Sequence, residues 1–129
     1  MLKRKKGFTL IELLVVIGII AILAGIVLVA VNPSRNFASS RNAVRENDVS
    51  QVLSAVVQYA AGNNGSYPSA ITATGVDANT LVGDLVPTYI PEIPADPQGG
   101  QYTVSVDANG RITVSASAAE NDESISVIQ

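Results

Sequence analysis

Apolar residues are concentrated at one end of this chain. From Leu13 to Val31 every position is apolar, counting Gly18 and Gly25, and positions 13 to 34 carry no charged side chain. As a helix, Phe8 to Val31 would extend about 36 Å at ~1.5 Å per residue, enough to cross a hydrocarbon layer of ~30 Å. The pattern therefore predicts a membrane-spanning helix over residues 8–31. Asn32-Pro33 follows. Proline removes an amide donor and clashes one turn back, so the helix either stops at the membrane surface or bends within one longer rod. Helical spacing soon resumes. Val49, Val52, Leu53, Val56 and Ala60 fall at i, i+3, i+4, i+7 and i+11, with Asn47, Gln51, Ser54 and Gln58 on the opposite side. This is the signature of an amphipathic helix, expected over about residues 39–61. Gly62-Asn63-Asn64-Gly65 ends it with residues that tolerate left-handed geometry.

Residues 62–101 read as loop-rich. A short helix is predicted near Thr80–Val86, with Leu81, Val82 and Leu85 inward and Asp77 or Asn79 as its cap. Pro87, Pro91, Pro94 and Pro97 then exclude a continuous helix or a central strand. A β pattern covers residues 102–128. Tyr102, Val104 and Val106 alternate with Thr103 and Ser105, and Ile112, Val114 and Ala116 alternate with Thr113 and Ser115. Asp107-Ala108-Asn109-Gly110 joins the two runs as a hairpin turn, and a third strand is expected near Ser124–Ile128. Two strands alone are marginal, whereas three packed on a helix are stable. The expected class is α+β: a long N-terminal helix, apolar in its first half and amphipathic in its second, packed on a small antiparallel sheet.

Charge sharpens this division. Lys3, Arg4, Lys5 and Lys6 crowd the start and predict a cytoplasmic N-terminus with the C-terminus outside. Without residues 1–7, four arginines face eleven acids, a balance of −7. An acidic exterior argues against nucleic-acid binding, which needs a basic face to displace counterions. The chain has no Cys and no His, which excludes a disulfide framework and thiolate metal sites and removes the commonest general base.

Glu12 breaks the simplest readings. A secretory signal peptide explains the basic start, but the apolar run is too long and no small-x-small cleavage site follows it. An ordinary single-pass anchor explains length and charge but leaves Glu12 without a reason. A carboxylate in a spanning helix costs roughly 2.5 to 3.5 kcal/mol near the bilayer centre and less near the interface, and it calls for a partner. A cut after Gly7 would supply one, by exposing a positive amine on Phe8. Glu12 could meet that amine within its own helix, four residues away, or on an adjoining subunit. The second contact would also fix the axial stagger between helices, since an unpaired buried charge is strongly penalised.

The run Lys5-Lys6-Gly7-Phe8-Thr9-Leu10-Ile11-Glu12-Leu13-Leu14-Val15-Val16-Ile17 resembles the prepilin signature of type IV pilins and type II secretion pseudopilins. Arg41-x-x-x-Arg45-x-x-Asp48, Tyr59, Asn63-x-Gly65-x-Tyr67-Pro68 and the stretch from Leu85 to Pro97 are similar, more loosely, to the segments beyond the membrane helix in those proteins. The resemblance implies a pilin-like fold. It implies a leader of residues 1–7, a membrane and filament-core helix over 8–31, and an exported head over 32–129. A prepilin peptidase is expected to cut between Gly7 and Phe8 and to methylate the Phe8 amine. Glu12 is expected to guide recruitment and registration in a homo-oligomeric filament raised by an inner-membrane assembly platform. The chain would be a single-pass inner-membrane protein before assembly and part of a periplasmic or extracellular filament afterwards. Many Gram-negative type IV pilins close a C-terminal loop with a disulfide. That is impossible here, which leans the resemblance toward pseudopilins or the pilins of Gram-positive and similar lineages.

No catalytic set emerges, because the many Ser and Thr residues have no His, and no Lys beyond the leader, to activate them. Major pseudopilins bind calcium in the loop region, and Asp84, Asp96 and Asp107 are the acids that could hold Ca²⁺ through oxygen ligands. No EF-hand spacing is present, and solvated loop acids are the preferred reading. Arg35, Arg41 and Arg45 with Glu46 and Asp48 form either a solvated face or pairs with acidic surfaces on neighbouring subunits. Three roles stay open: a filament subunit, a minor tip protein that binds a surface or DNA, and a monomeric membrane-anchored binding domain.

Overall fold

The computed structural model describes residues 3–129. The chain divides into two compact units, one up to Asn36 and one spanning Phe37–Gln129.

In the first unit, α1 runs Leu10–Val31 and buries none of its residues. At ~1.5 Å per residue its 22 residues extend about 33 Å. Asn32 ends it in a left-handed conformation, φ 45°, and α2 begins at Pro33. The break is thus complete between two helices, with proline at the first helical position, where its missing amide costs nothing. Asn32 also serves the new helix: its Oδ1 accepts from the Ser34 hydroxyl at 2.8 Å and from the Arg35 amide at 3.3 Å. That explains why α2 starts six residues earlier than the apolar spacing alone indicates.

α2 spans Pro33–Gly62. Val49, Val52, Val56 and Ala60 are buried as expected, and Ala55 joins them. Gly65, at φ +81°, turns the chain away while its amide reaches the Ala60 carbonyl at 2.8 Å. The sheet has the order β1-β2-β3-β4, antiparallel throughout. β2 (Tyr102–Val106) and β3 (Ile112–Ala116) form the hairpin read from the alternation, and β4 (Ile125–Ile128) is the expected third strand. β1 (Val76–Asp77) is a short addition on the other edge. It is too brief for any periodicity to announce.

Between α2 and β2 lie a 3₁₀ turn (Ala78–Leu81), capped by the Asp77 carboxylate, and a single helical turn, α3 (Val82–Leu85). Leu81 and Leu85 are fully buried, but Val82 faces solvent, contrary to the inward position expected of it. The change from 3₁₀ to α winding alters the angular spacing, so only the two leucines, four apart, share the inner side. The Val86–Pro87 peptide is cis. Tyr59 and Tyr89 meet edge to face at 5.6 Å. Val49, Val52 and Val56 of α2, Leu81, Leu85 and Ile90 of the connecting segment, and Tyr102, Val104, Ile112, Val114 and Ile125 of the sheet make one core. Each large aliphatic side chain buried there contributes roughly 1.5–3 kcal/mol.

Candidate processing and assembly site

Gly7 and Phe8 lie in irregular chain ahead of α1 and are exposed, Phe8 at 92%. A Cβ added at Gly7 would meet nothing within 4 Å. The chain's own packing therefore gives no reason for glycine here.

Thr9 is the N-cap of α1, with extended backbone. Its hydroxyl accepts from the Glu12 amide at 3.2 Å, and Glu12 Oε2 accepts from the Thr9 amide at 2.8 Å. The two residues close a capping box, which satisfies two otherwise orphaned amides reciprocally. The Thr-x-x-Glu spacing that signals such a box stands in the sequence at Thr9 and Glu12, yet reading Glu12 only as a partner for the Phe8 amine passes over it. Glu12 is thus already bonded at the positive end of the helix dipole, where a carboxylate is favoured. A cut after Gly7 would add a full positive charge on the residue just before Thr9. Around this one carboxylate, α1 exposes Leu10, Ile11, Leu13, Leu14 and the rest of its apolar side chains on every face. A helix apolar all round belongs in lipid or among other helices.

Of the charged residues of α2, Arg35 and Glu46 are exposed, as a solvated face would have them, whereas Arg41, Arg45 and Asp48 depart from both expectations. Asn42, Arg45 and Asp48 are buried. Arg45 is clamped by Asp96, Nε to Oδ2 at 2.6 Å and Nη2 to Oδ1 at 3.1 Å, and its Nη1 reaches Glu120 Oε2 at 2.8 Å. Asn42 Oδ1 and Gln98 Oε1 accept from the same guanidinium. Arg41 pairs with Glu120 through two bonds of 2.7 Å, and Tyr102 Oη donates to Asp48 Oδ2 at 2.6 Å. Bonds from Arg41 and Arg45 pull the Glu120 carboxyl down to about 2, and Arg45 likewise holds Asp96 below the ordinary carboxylate range. Desolvation, reinforced by the bond to Asp48, raises Tyr102. The signal for this network was available in part. Arg45 and Asn42 fall on the same helical stripe as Val49 and Val52, a position for a long cation only if something buried pairs with it.

The acids considered for calcium do not come together. Asp96 is committed to Arg45, Asp107 Oδ1 accepts the Asn109 and Arg111 amides inside the hairpin turn, and Asp84 is exposed on α3. Among the described residues no group of three acidic side chains is placed to hold a metal ion.

The family model described as the prokaryotic N-terminal methylation motif matches residues 2–28. The type II secretion system core protein G of Klebsiella michiganensis is 31% identical over 125 residues, which cover 90% of this chain and 84% of that protein. The chain belongs to the type II secretion system core protein G family. The core protein G of Aeromonas hydrophila is 33% identical over 108 residues, covering 78% of this chain and 72% of that protein. That of Escherichia coli is 31% identical over 109 residues, with the same coverage. No solved structure matches with comparable strength. Within the core protein G family the long apolar helix, the second helix and the four-stranded sheet read as one α+β, pilin-like architecture. The family's methylation motif spans Gly7, Phe8, Thr9 and Glu12.

Proposed function

We propose that this chain is the structural subunit of a type II secretion-like filament, cut after Gly7 by a prepilin peptidase and methylated on the Phe8 amine. Residues 1–7 are then a leader, residues 8–31 the filament-core helix, and residues 32–129 the exported head. Before assembly the chain is anchored in the inner membrane with its N-terminus inside. The single observation that carries the reading is α1. It is a 22-residue apolar helix with no buried side chain and one carboxylate, in its first turn. Such a surface is stable in lipid, and it is equally stable against copies of itself, so a subunit can leave the bilayer only by packing into a bundle. Glu12 sets the register of that bundle, because the Thr9 amide bonds the carboxylate but leaves its charge uncompensated in an apolar core, and the Phe8 amine of a neighbour neutralises it. The role is mechanical, and the chemistry belongs to the peptidase.

The experiment is a Glu12→Ala variant expressed beside the parent chain with its peptidase and assembly machinery. The variant is expected to be cut normally and to leave no sheared filaments. Filaments in parental yield would remove Glu12 from assembly.

A further inference from the structure

The unit Phe37–Gln129 carries three arginines against ten carboxylates. Arg41 and Arg45 are consumed inside it by Glu120 and Asp96. Arg111 is the third. It is exposed at the mouth of the β2–β3 hairpin, its amide donates to Asp107 Oδ1 at 2.9 Å, and its carbonyl accepts from the Asp107 amide at 3.0 Å. Among the described residues its guanidinium makes no ion pair.

A groove of about 380 Å³ lies between α2 and the segment before β2, and its lining includes Val44, Asp48, Gln51, Pro91, Glu92 and Pro94. Glu92 is exposed and makes no ion pair among the described residues. Asp48 gives one oxygen to Tyr102, which leaves Oδ1 without a hydrogen bond among the described residues. Two carboxylates beside proline and valine walls suit one side chain above others. Arginine can lay its aliphatic stem along the apolar walls and present its planar donors to the acids. Tyr102, bonded to Asp48 in the groove wall, opens β2. Val106 closes that strand opposite Ile112, next to Arg111. Four strand steps put these ends roughly 13 Å apart, so Arg111 follows the strand end away from Tyr102, the residue bonded to the groove's Asp48.

We propose that Arg111 of one copy docks in the Asp48–Glu92 groove of the next copy in the filament. This rests on the proposed filament role and adds a contact between heads to it. The two patches differ, so the contact is heterologous, and repetition generates an open helical array instead of a closed dimer. It also brings one cation from each copy onto an acid-rich neighbour, offsetting repulsion between Phe37–Gln129 units that each carry an excess of seven negative charges.

The chain has no Cys, so a Glu92→Cys plus Arg111→Cys variant reports the contact without background. In filaments sheared after mild oxidation it is expected to give disulfide-linked dimers and longer ladders, while either cysteine alone gives neither. Glu92→Arg or Arg111→Glu alone is expected to lower filament yield about tenfold, and the two combined to return it to within about twofold of the parent. Parental yield from both single reversals, a combined variant no better than the singles, or filaments without ladders would overturn the docking contact and leave the filament reading standing. Absence of filaments from the parent chain would instead overturn the filament reading, and the contact with it.

Discussion

Arg45 and Asp96 meet in a two-pronged ion pair, 2.6 Å and 3.1 Å, with both side chains fully buried. The pair fastens α2 to the segment entering β2, 51 residues away, and Glu120 on the same guanidinium ties in the loop after β3. Removing one partner leaves the other charge buried and alone. Arg45→Ala or Asp96→Ala is expected to cost about 3–5 kcal/mol, read from urea unfolding of the detergent-solubilised chain. Arg45→Met with Asp96→Leu removes both charges and is expected to recover at least half of that loss.

The same acids set the acid limit of the head. Glu120 titrates at about 2 and Asp96 is likewise lowered, whereas an unfolded carboxyl titrates near ~4. The unfolded chain therefore takes up protons first as pH falls. The stabilisation is complete above the unfolded value and is lost as pH drops through about 2. The melting temperature is expected to be flat from neutrality to about pH 5 and to fall steeply between about 4 and 2. Arg41→Ala should move the Glu120 titration upward in an NMR pH series.

Tyr102 answers at the other end of the pH scale. Its folded value lies above the ordinary phenol value, so the neutral, donating form and the bond to Asp48 persist through the neutral range. The contribution is complete below the unfolded value of ~10 and disappears as pH rises through the higher folded one. Tyr102→Phe deletes the donor and leaves a buried carboxylate short of a partner. A loss of about 1–3 kcal/mol is expected in the same urea titration.

Gly100 is a steric prediction. A Cβ there would overlap Ala118 Cβ and sit 3.2 Å from Asp96 Cγ. Gly100→Ala is expected to push Asp96 away from Arg45 and to cost about 1–3 kcal/mol. Ala118→Gly in the same chain should restore part of it, since it removes the atom the new methyl strikes.

How far the sequence carried depended on the distance over which each feature is decided. Alternation placed β2 and β3 to the residue, because a half-buried strand writes its faces into every second position. The stripe from Val49 to Ala60 placed the second helix for the same reason at the helical period. The Asn32-Pro33 break was legible, but not that Asn32 would cap both helices. Val82 was misplaced because a 3₁₀ turn ahead of it shifts the face. The Arg45 network was invisible as a unit. Its members lie 51 and 75 residues apart, and only folding reveals that an arginine on a core stripe has two acids waiting for it. At the site, Gly7, Phe8 and Glu12 are legible as a local motif, and the Thr9-x-x-Glu12 spacing also carries the capping box that reading Glu12 only as an amine partner passes over.

The most direct test is the intact mass and N-terminal sequence of the protein recovered from sheared filaments. The expected chain begins at Phe8 and is heavier than that sequence by one methyl group, carried on the α-amine. A chain beginning at Met1, or one beginning beyond Val31, would contradict the processing on which Glu12's partner depends.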